Sequence, residues 1–467
     1  MASPSTAVVW FRRDLRLSDQ PAWAAATEAA DRVVALFVLD RTVLATADDR
    51  RRDLLLASLH ALDAQLRDLG GALLVRHGDP VRTVAAVARA AGATSVHVDG
   101  DVSAYAQRRD AAVRGALQPE VAVDVRWGGL VHAPGAVTSP STGRTHQVFT
   151  PFHRAWSATP WAPWPDGGDA AVVDPWSSGQ QALRPEPIPE PGADPADPAG
   201  ETGAAARLSA WLDHVDAYPD THDLPAVEHG TSQLSADLHL GTISPRHVVE
   251  AVGDGSEGRA AFVRQLAWRD WFAHLFHERP SLARAAMRPE LDAVAWRDDP
   301  EGAEAWRTGR TGYPLVDAGM RQLAATGWMH NRVRMVTASF LVKDLLVDWR
   351  VGEAHFRHAL LDGDVSQNAG NWQWVAGTGP DAAPYFRVLN PVTQSRRFDP
   401  HGEYVARWVP ELAGLDPDDR HAPWEVPPLE LAAAGVTLGD DYPHPIVEHA
   451  GARDRAIAAY RAARGDG

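Results

Sequence analysis

The run Val33-Val34-Ala35-Leu36-Phe37-Val38-Leu39, closed by Asp40, decides the fold of the first part of the chain. Every position is apolar, so neither face of a strand there can meet water. That is the signature of a strand inside a parallel sheet covered on both sides. Four more short runs repeat the pattern, at Ala7–Trp10, Ala72–Val75, Ser95–Val98 and Val121–Val125. Asp53–Leu69 and Pro80–Ala91 carry helical periodicity between them. Strands alternating with helices predict a doubly wound α/β domain over residues 1–131, with any ligand at the carboxyl ends of the strands. The turn after the first strand, Phe11-Arg12-Arg13-Asp14, lacks glycines, which argues against a dinucleotide in this domain.

Outward from that sheet, the chain is 467 residues long, enough for a second domain. From Ser157 to Gly203 prolines recur among acids and glycines, which reads as an extended connector within 132–204. Beyond it the strand signal stops. Helical periodicity runs through Ala205–Val215, Pro245–Val252, Arg259–His277, Pro314–Ala325, Arg332–Leu346 and Gly352–Leu361, so 205–467 is expected to be all-α.

The absence of cysteine excludes disulfides and thiolate-bound metals. No apolar stretch reaches the ~20 residues of a membrane span, and Met1–Val9 lacks the order of a signal peptide, so a cytoplasmic protein is expected. The net charge of −16 weighs against a nucleic-acid partner, yet residues 166–201 hold eight acids and one base. Basic surface remains available at Arg332, Arg334, Arg387, Arg396 and Arg397. Lys343 is the sole lysine; the arginine bias is mostly genomic, although guanidinium forks suit phosphates.

Four segments carry the chemistry. Gly230-Thr231-Ser232-Gln233-Leu234-Ser235 is a glycine turn entering a helix, a place where unpaired N–H groups hold phosphate; an ordinary helix cap is the plainer reading. Gln265, Trp268, Arg269 and Phe272 fall at i, i+3, i+4 and i+7 and share a helical face suited to stacking on a base and hydrogen-bonding it. Asn331 and Met335 share another face, able to meet the polar edge and apolar face of a pyrimidine. In Asp362-Gly363-Asp364…Asn368…Trp372-Gln373-Trp374 the acids lack the other ligands of a calcium loop, and the two tryptophans point to different sides of a helix.

These segments, extended to GTSxLS, QLxWRDxF, TGWMHNRxRM, LDGDxxxNxGNWQW and TGxDAAPYFRxxNPxxQ, resemble the FAD domain of class I photolyases in the photolyase/cryptochrome family. VVWFRRDLRLSD and VFTPFHRAW resemble the same family's antenna domain and connector, so the likeness spans nearly the whole chain. The resemblance implies light-driven repair of cyclobutane pyrimidine dimers in DNA, by electron transfer from excited reduced FAD to a flipped-out lesion. It implies that Tyr218 and Thr231, Ser232, Gln233, Leu234 and Ser235 hold the FAD phosphates and sugar. Asp362, Gly363 and Asp364 lie by the isoalloxazine and ribityl regions, with Arg334 pairing Asp362 and Asn368 facing flavin N5. Trp268 and Trp374 flank the dimer. Gln265, Arg269, Phe272, Asn331, Arg332, Met335, Arg387, Gln394 and Arg397 meet the lesion or its phosphates. Trp372, Trp349 and Trp296 form the relay that photoreduces the flavin.

Gln265 stands where many dimer photolyases have glutamate and is also usual in (6-4) photolyases, whereas the WMHN segment lacks their histidine pair. The alternatives are thus a (6-4) photolyase or a cryptochrome-type photoreceptor. For the antenna, folate-type proteins carry Asn-Glu where this chain reads Tyr105-Ala106, and Asp99 through Asp110 is similar to deazaflavin-type proteins. The expected second chromophore is therefore 8-hydroxy-5-deazaflavin, bound by Arg12, Asp40, Arg51 and Asp101, with methenyltetrahydrofolate as the alternative. A monomer acting on damaged DNA, nucleoid-associated when bound and without a membrane, completes the expectation.

Overall fold

A computed structural model describes residues 4–193, 198–381, 384 and 387–465. Asp194 and Asp197 of the acidic connector, and Ala382, Ala383, Tyr385 and Phe386 of the TGxDAAPYFR motif, lie outside the described residues. The chain forms two compact units, residues 1–216 with 232–280, and residues 217–231 with 281–467. Compactness therefore groups the helices of 205–216 and 232–280 with the sheet, across the boundary expected at 204.

In the first unit β1 (Thr6–Phe11), β2 (Arg32–Leu39), β3 (Leu74–His77), β4 (Ser95–Asp99) and β5 (Ala122–Arg126) form a parallel sheet in the order β3-β2-β1-β4-β5. The order reverses between β1 and β4, which opens a crevice at their carboxyl ends. Val33, Ala35, Phe37 and Leu39 enter one core cluster, while Val34, Leu36 and Val38 enter another on the opposite face. This two-sided burial is why β2 has no polar alternation. The connector is not wholly extended, for Pro175–Ser177 and Gln181–Leu183 are single 3-10 turns, and before them Ala171–Val172 forms β6, paired with Arg32 and Val33. It takes the start of the β2 edge, since β3 pairs only from Leu36 onward.

The helices of this unit include α1 (Pro21–Ala29), α2 (Asp49–Asp68), α3 (Pro80–Ala90), α4 (Ala104–Leu117) and α5 (Phe149–Ala158). They continue with α6 (Gly200–Leu212), α7 (Ser235–Leu240), α8 (Pro245–Val252) and α9 (Glu257–Glu278). The second unit is helical among the described residues and includes α10 (Pro314–Thr326), α11 (Asn331–Ser339), α12 (Trp349–Ala359), α13 (Val365–Ala376), α14 (Pro391–Phe398) and α15 (His449–Arg464). The helix expected over Arg332–Leu346 changes pitch: Phe340–Asp344 is a π-turn, with the Leu345 N–H donating to the Phe340 carbonyl at 3.0 Å. That turn carries Lys343 and Asp344 inward, where both are buried.

Candidate functional site

In the second unit, α11 and the loop before α13 meet through charge. Arg334 on α11 donates to both carboxylate oxygens of Asp362 at 3.0 and 2.9 Å, and its Nε holds the Met329 carbonyl at 2.7 Å. The expected pairing of these two residues is thus present. After Gly363, Asp364 caps α13, accepting from the Ser366 and Gln367 N–H groups at 2.8 and 2.9 Å. One turn on, Asn368 is 9% exposed and its Nδ2 donates to the Glu353 carbonyl at 2.8 Å and to Glu353 Oε1 at 3.0 Å. Both partners are acceptors, so the amide has one allowed orientation: NH2 toward Glu353, Oδ1 away. Burial pushes the Glu353 carboxyl up, against the opposing pull of Arg357 and the Asn368 hydrogen bond.

Another turn along α13, Trp372 is buried, edge-on to Phe356 at 5.1 Å and to Trp306 at 6.1 Å. Gly352 makes room for it, since a Cβ there would come within 2.1 Å of the indole. Trp349 is also buried, with the Arg350 guanidinium 4.7 Å from its ring. Trp296 is half-buried and packs edge-on to Tyr460 at 5.9 Å. The three tryptophans assigned to a relay thus include two sealed from water and one that reaches it. Trp374 lies half-buried.

Asn331 is exposed at the first position of α11, and Met335 is half-buried one turn later. Between them Arg332 differs from the expectation of a cation held for phosphate. It forks onto Asp223 at 2.6 and 2.7 Å, with its guanidinium 4.4 Å from the Phe398 ring centre. Gln394 is half-buried, while Arg387 and Arg397 are exposed. Tyr218 is buried against His222. Thr231 is half-buried, after His229 in a left-handed conformation at φ 56°.

In the first unit, Ser232 and Ser235 are half-buried, Gln233 is exposed at φ 54° and Leu234 is buried. The helix they enter, α7, is only six residues long, with no side-chain cap. On α9, Gln265 is exposed and Trp268 half-buried. Phe272 does not join them as a contact residue: it is 1% exposed and packs on Trp268 and Trp271, so it supports the indole instead. Arg269 also departs from a purely DNA-facing role, since its guanidinium donates to the carbonyls of Gly129 and Leu238 at 2.5 and 2.9 Å.

The strand ends of the same unit carry three of the other expected set. Arg12 follows β1, Asp40 follows β2 and Asp101 follows β4, as the strand-end argument requires. Arg12 donates to Asp110 at 2.7 and 2.8 Å and also to the Asp99 carbonyl. Asp40 accepts from the Tyr105 hydroxyl and caps Arg41–Leu44 through the Thr42 N–H at 2.9 Å. Arg51 is buried and donates to the Thr46 carbonyl at 2.9 Å. Burial pushes Asp101 up, but Arg13, Arg12 and Arg109 outweigh it and hold the carboxyl below its usual range. Arg109 sits 4.9 Å from the Trp10 ring centre and 5.6 Å from that of Tyr105, and its Nη2 is buried with no hydrogen-bond partner. Neither Arg109 nor Asp223 was singled out as a site residue. The former lies within the stretch from Asp99 to Asp110 that resembles deazaflavin-type proteins, while the latter carries no local signal.

Two family models match this chain: DNA photolyase over residues 7–168, and the FAD binding domain of DNA photolyase over residues 262–462. With the sheet of the first unit and the helices of the second, an FAD-binding domain makes this a flavoprotein. The chain belongs to the DNA photolyase family. A deoxyribodipyrimidine photo-lyase of Streptomyces griseus is 43% identical, over 97% of this chain and 98% of that one. A bacterial class III photolyase from Agrobacterium tumefaciens superposes with a TM-score of 0.90 at 37% identity, covering 100% and 99% of the two chains. A Synechocystis cryptochrome superposes at 0.88 with 28% identity, covering 98% of this chain and 100% of its own.

Proposed function

We propose that this protein uses light to split cyclobutane pyrimidine dimers in DNA. The observation that carries the reading is the fixed amide of Asn368. Glu353 accepts both Nδ2 hydrogen bonds, so the atom Asn368 offers is an acceptor. A fully reduced flavin carries a hydrogen on N5 and needs an acceptor there; an oxidised one needs a donor. FAD, when bound, supplies the light-driven electron. The residues of the second unit fit it chemically: Arg334 and Asp362 form a neutral, rigid pair, Asp364 fixes the start of α13, and Trp372 excludes water one turn beyond Asn368.

The remaining roles follow the family resemblance. Tyr218 and residues 231–235 hold phosphate and sugar. Trp268 and Trp374 stack on a flipped-out dimer, whose weakened pairing lowers the cost of extrusion. Gln265, Asn331 and Met335 touch the bases. Arg269, Arg332, Arg387, Gln394 and Arg397 serve the backbone, with Arg332 first released from Asp223. Trp296, Trp349 and Trp372 pass electrons inward. The second chromophore is 8-hydroxy-5-deazaflavin, not methenyltetrahydrofolate, in the crevice of Arg12, Asp40, Arg51 and Asp101. Arginines around that crevice, with Arg12 Nε and Arg109 Nη2 buried and without a hydrogen-bond partner, suit an ionised ring hydroxyl. The protein acts as a cytoplasmic monomer; no helix among the described residues is long and apolar enough to cross a membrane.

The test is blue-light repair of a thymine-dimer oligonucleotide by chemically reduced protein, with (6-4) DNA as control. Repair of the dimer alone is expected. Repair of the (6-4) lesion alone, or of neither, refutes the proposal.

A further inference from the structure

An aromatic column runs along α5 and ends on α9 at both extremities. Phe149, His153 and Trp156 fall at i, i+4 and i+7, on one face of α5. Their rings lie nearly parallel, Phe149 to His153 at 5.6 Å and 21°, His153 to Trp156 at 6.4 Å and 20°. At one end Phe149 stacks on Trp268 with centroids 3.8 Å apart and planes 14° apart. At the other, the Trp156 indole N–H donates to Asp270 Oδ2 at 2.9 Å. Asp270 is fully buried and also accepts the His132 N–H at 3.0 Å. The column is thus closed on itself through two residues of α9 only two positions apart.

This arrangement leaves Trp268 little freedom. Phe149 covers one face, Trp271 meets it edge-on at 5.1 Å and 77°, and Phe272 lies at 5.9 Å. The residue nonetheless remains half-exposed. A core tryptophan would be sealed on both faces; a surface tryptophan would not be backed by a near-coplanar ring anchored to a buried carboxylate. We infer that Phe149 is a positioning residue for lesion recognition. It holds the Trp268 indole in the orientation at which its open face stacks on a base, so the stacking surface exists before DNA arrives. This rests on the reading of Trp268 as a lesion-stacking plate. Burial lowers the His153 imidazole below its ordinary range, with Arg264 adding to it, so the middle ring stacks as a neutral group at physiological pH.

The experiment measures binding of dimer-containing and intact duplex by F149L, F149Y, W268A and F149L/W268A, with FAD content as a control for folding. F149L is expected to weaken dimer binding about three- to tenfold, the value of one aromatic pair. Its affinity for intact duplex and its FAD content should be unchanged. F149Y, which keeps the ring, should bind like the parent, and F149L should add nothing in the W268A background. If W268A loses lesion affinity while F149L keeps it, the role of Phe149 is overturned and the plate stands. If W268A itself loses nothing, the reading of Trp268 fails and this inference with it. Equal losses on dimer and intact DNA, or failure of F149Y to rescue, would show a general structural role and overturn the proposal.

Discussion

Asp223 and Arg332 offer a direct reading of how this acidic protein meets a polyanion. The pair is bidentate at 2.6 and 2.7 Å, and the side chains are 21% (Arg332) and 25% (Asp223) exposed. A pair so open to water holds together by ~1 kcal/mol or less, weak enough to exchange for a phosphate but strong enough to mask the cation in the free protein. D223N keeps the shape and removes the charge. Its guanidinium neighbour would stay over Phe398, now uncompensated.

Each phosphate neutralised contributes about −0.9 to the slope of log K against log salt on duplex DNA. If Asp223 masks Arg332 in the parent, D223N should steepen the slope by up to that amount, worth about eightfold in affinity at 0.1 M salt. The gain should appear on intact and damaged duplex alike, because a phosphate contact carries no sequence information. Salt titrations of the parent, D223N, R332A and D223N/R332A by fluorescence anisotropy test it. The double variant should lose the whole gain. An unchanged slope in D223N would refute the masking argument. A gain that survives removal of Arg332 would assign the effect to general electrostatics.

Three further outcomes are expected. W296F should slow photoreduction of oxidised flavin yet leave repair by pre-reduced protein intact; loss of repair in pre-reduced W296F would give Trp296 a different role. Burial pushes the Lys343 ammonium down to about 7, while its unfolded value is about 10.4, so the unfolded chain binds more protons between these limits. Stability of the parent should therefore rise with pH across that window, by at most ~5 kcal/mol at about 1.4 kcal/mol per unit, since the carbonyl of Ala376 and the ring of Tyr460 favour the charged form. K343M should lack this rise in urea midpoints at pH 7 and 9.5, and equal slopes in the two proteins would contradict it. D101A should abolish deazaflavin uptake in reconstitution while FAD content and direct flavin-driven repair hold; stoichiometric uptake of folate instead of deazaflavin would refute the antenna assignment.

The sheet was legible because Val33–Leu39 has no polar face to misplace, and Pro245–Val252 because Ser244 caps it and glycine ends it. What escaped notice lacked such marks. Helix α1 opens on Gln20, an unusual cap, and α4 buries only Ala106, Val113 and Leu117, too few for a clear stripe. Strand β6 is two residues in a proline-rich run and exists because β3 leaves the start of β2 unpaired. In the site, spacing put Gln265 and Trp268 on a face that reaches solvent but carried it one turn too far to Phe272, which lies in the protein interior. Local pattern could place Arg332 on a helix; it had no access to an acid 109 positions earlier.

The distribution of perturbed groups bears on the kind of chemistry this fold serves. An acid–base enzyme gathers titratable side chains with displaced pKa values around one reacting atom. Here burial drives Asp99 up to about 7, with Asp14 adding to it, and Asp99 is occupied in binding the Gly100 N–H at 3.1 Å beneath the crevice. His330, pushed down to about 4 by burial, caps α11 through the Arg332 N–H. Lys343 is spent on a carbonyl and a ring within the core. Each of these three groups serves its own local structure. What stands along α13 is an amide of fixed orientation followed, one turn on, by a buried indole. Neither Asn368 nor Trp372 ionises at neutral pH. Both are held rigidly in low-dielectric surroundings, where fixed dipoles cost no reorganisation when charge moves. Such a site orders distance and polarity and leaves the reaction itself to a cofactor, as an electron-transfer enzyme requires.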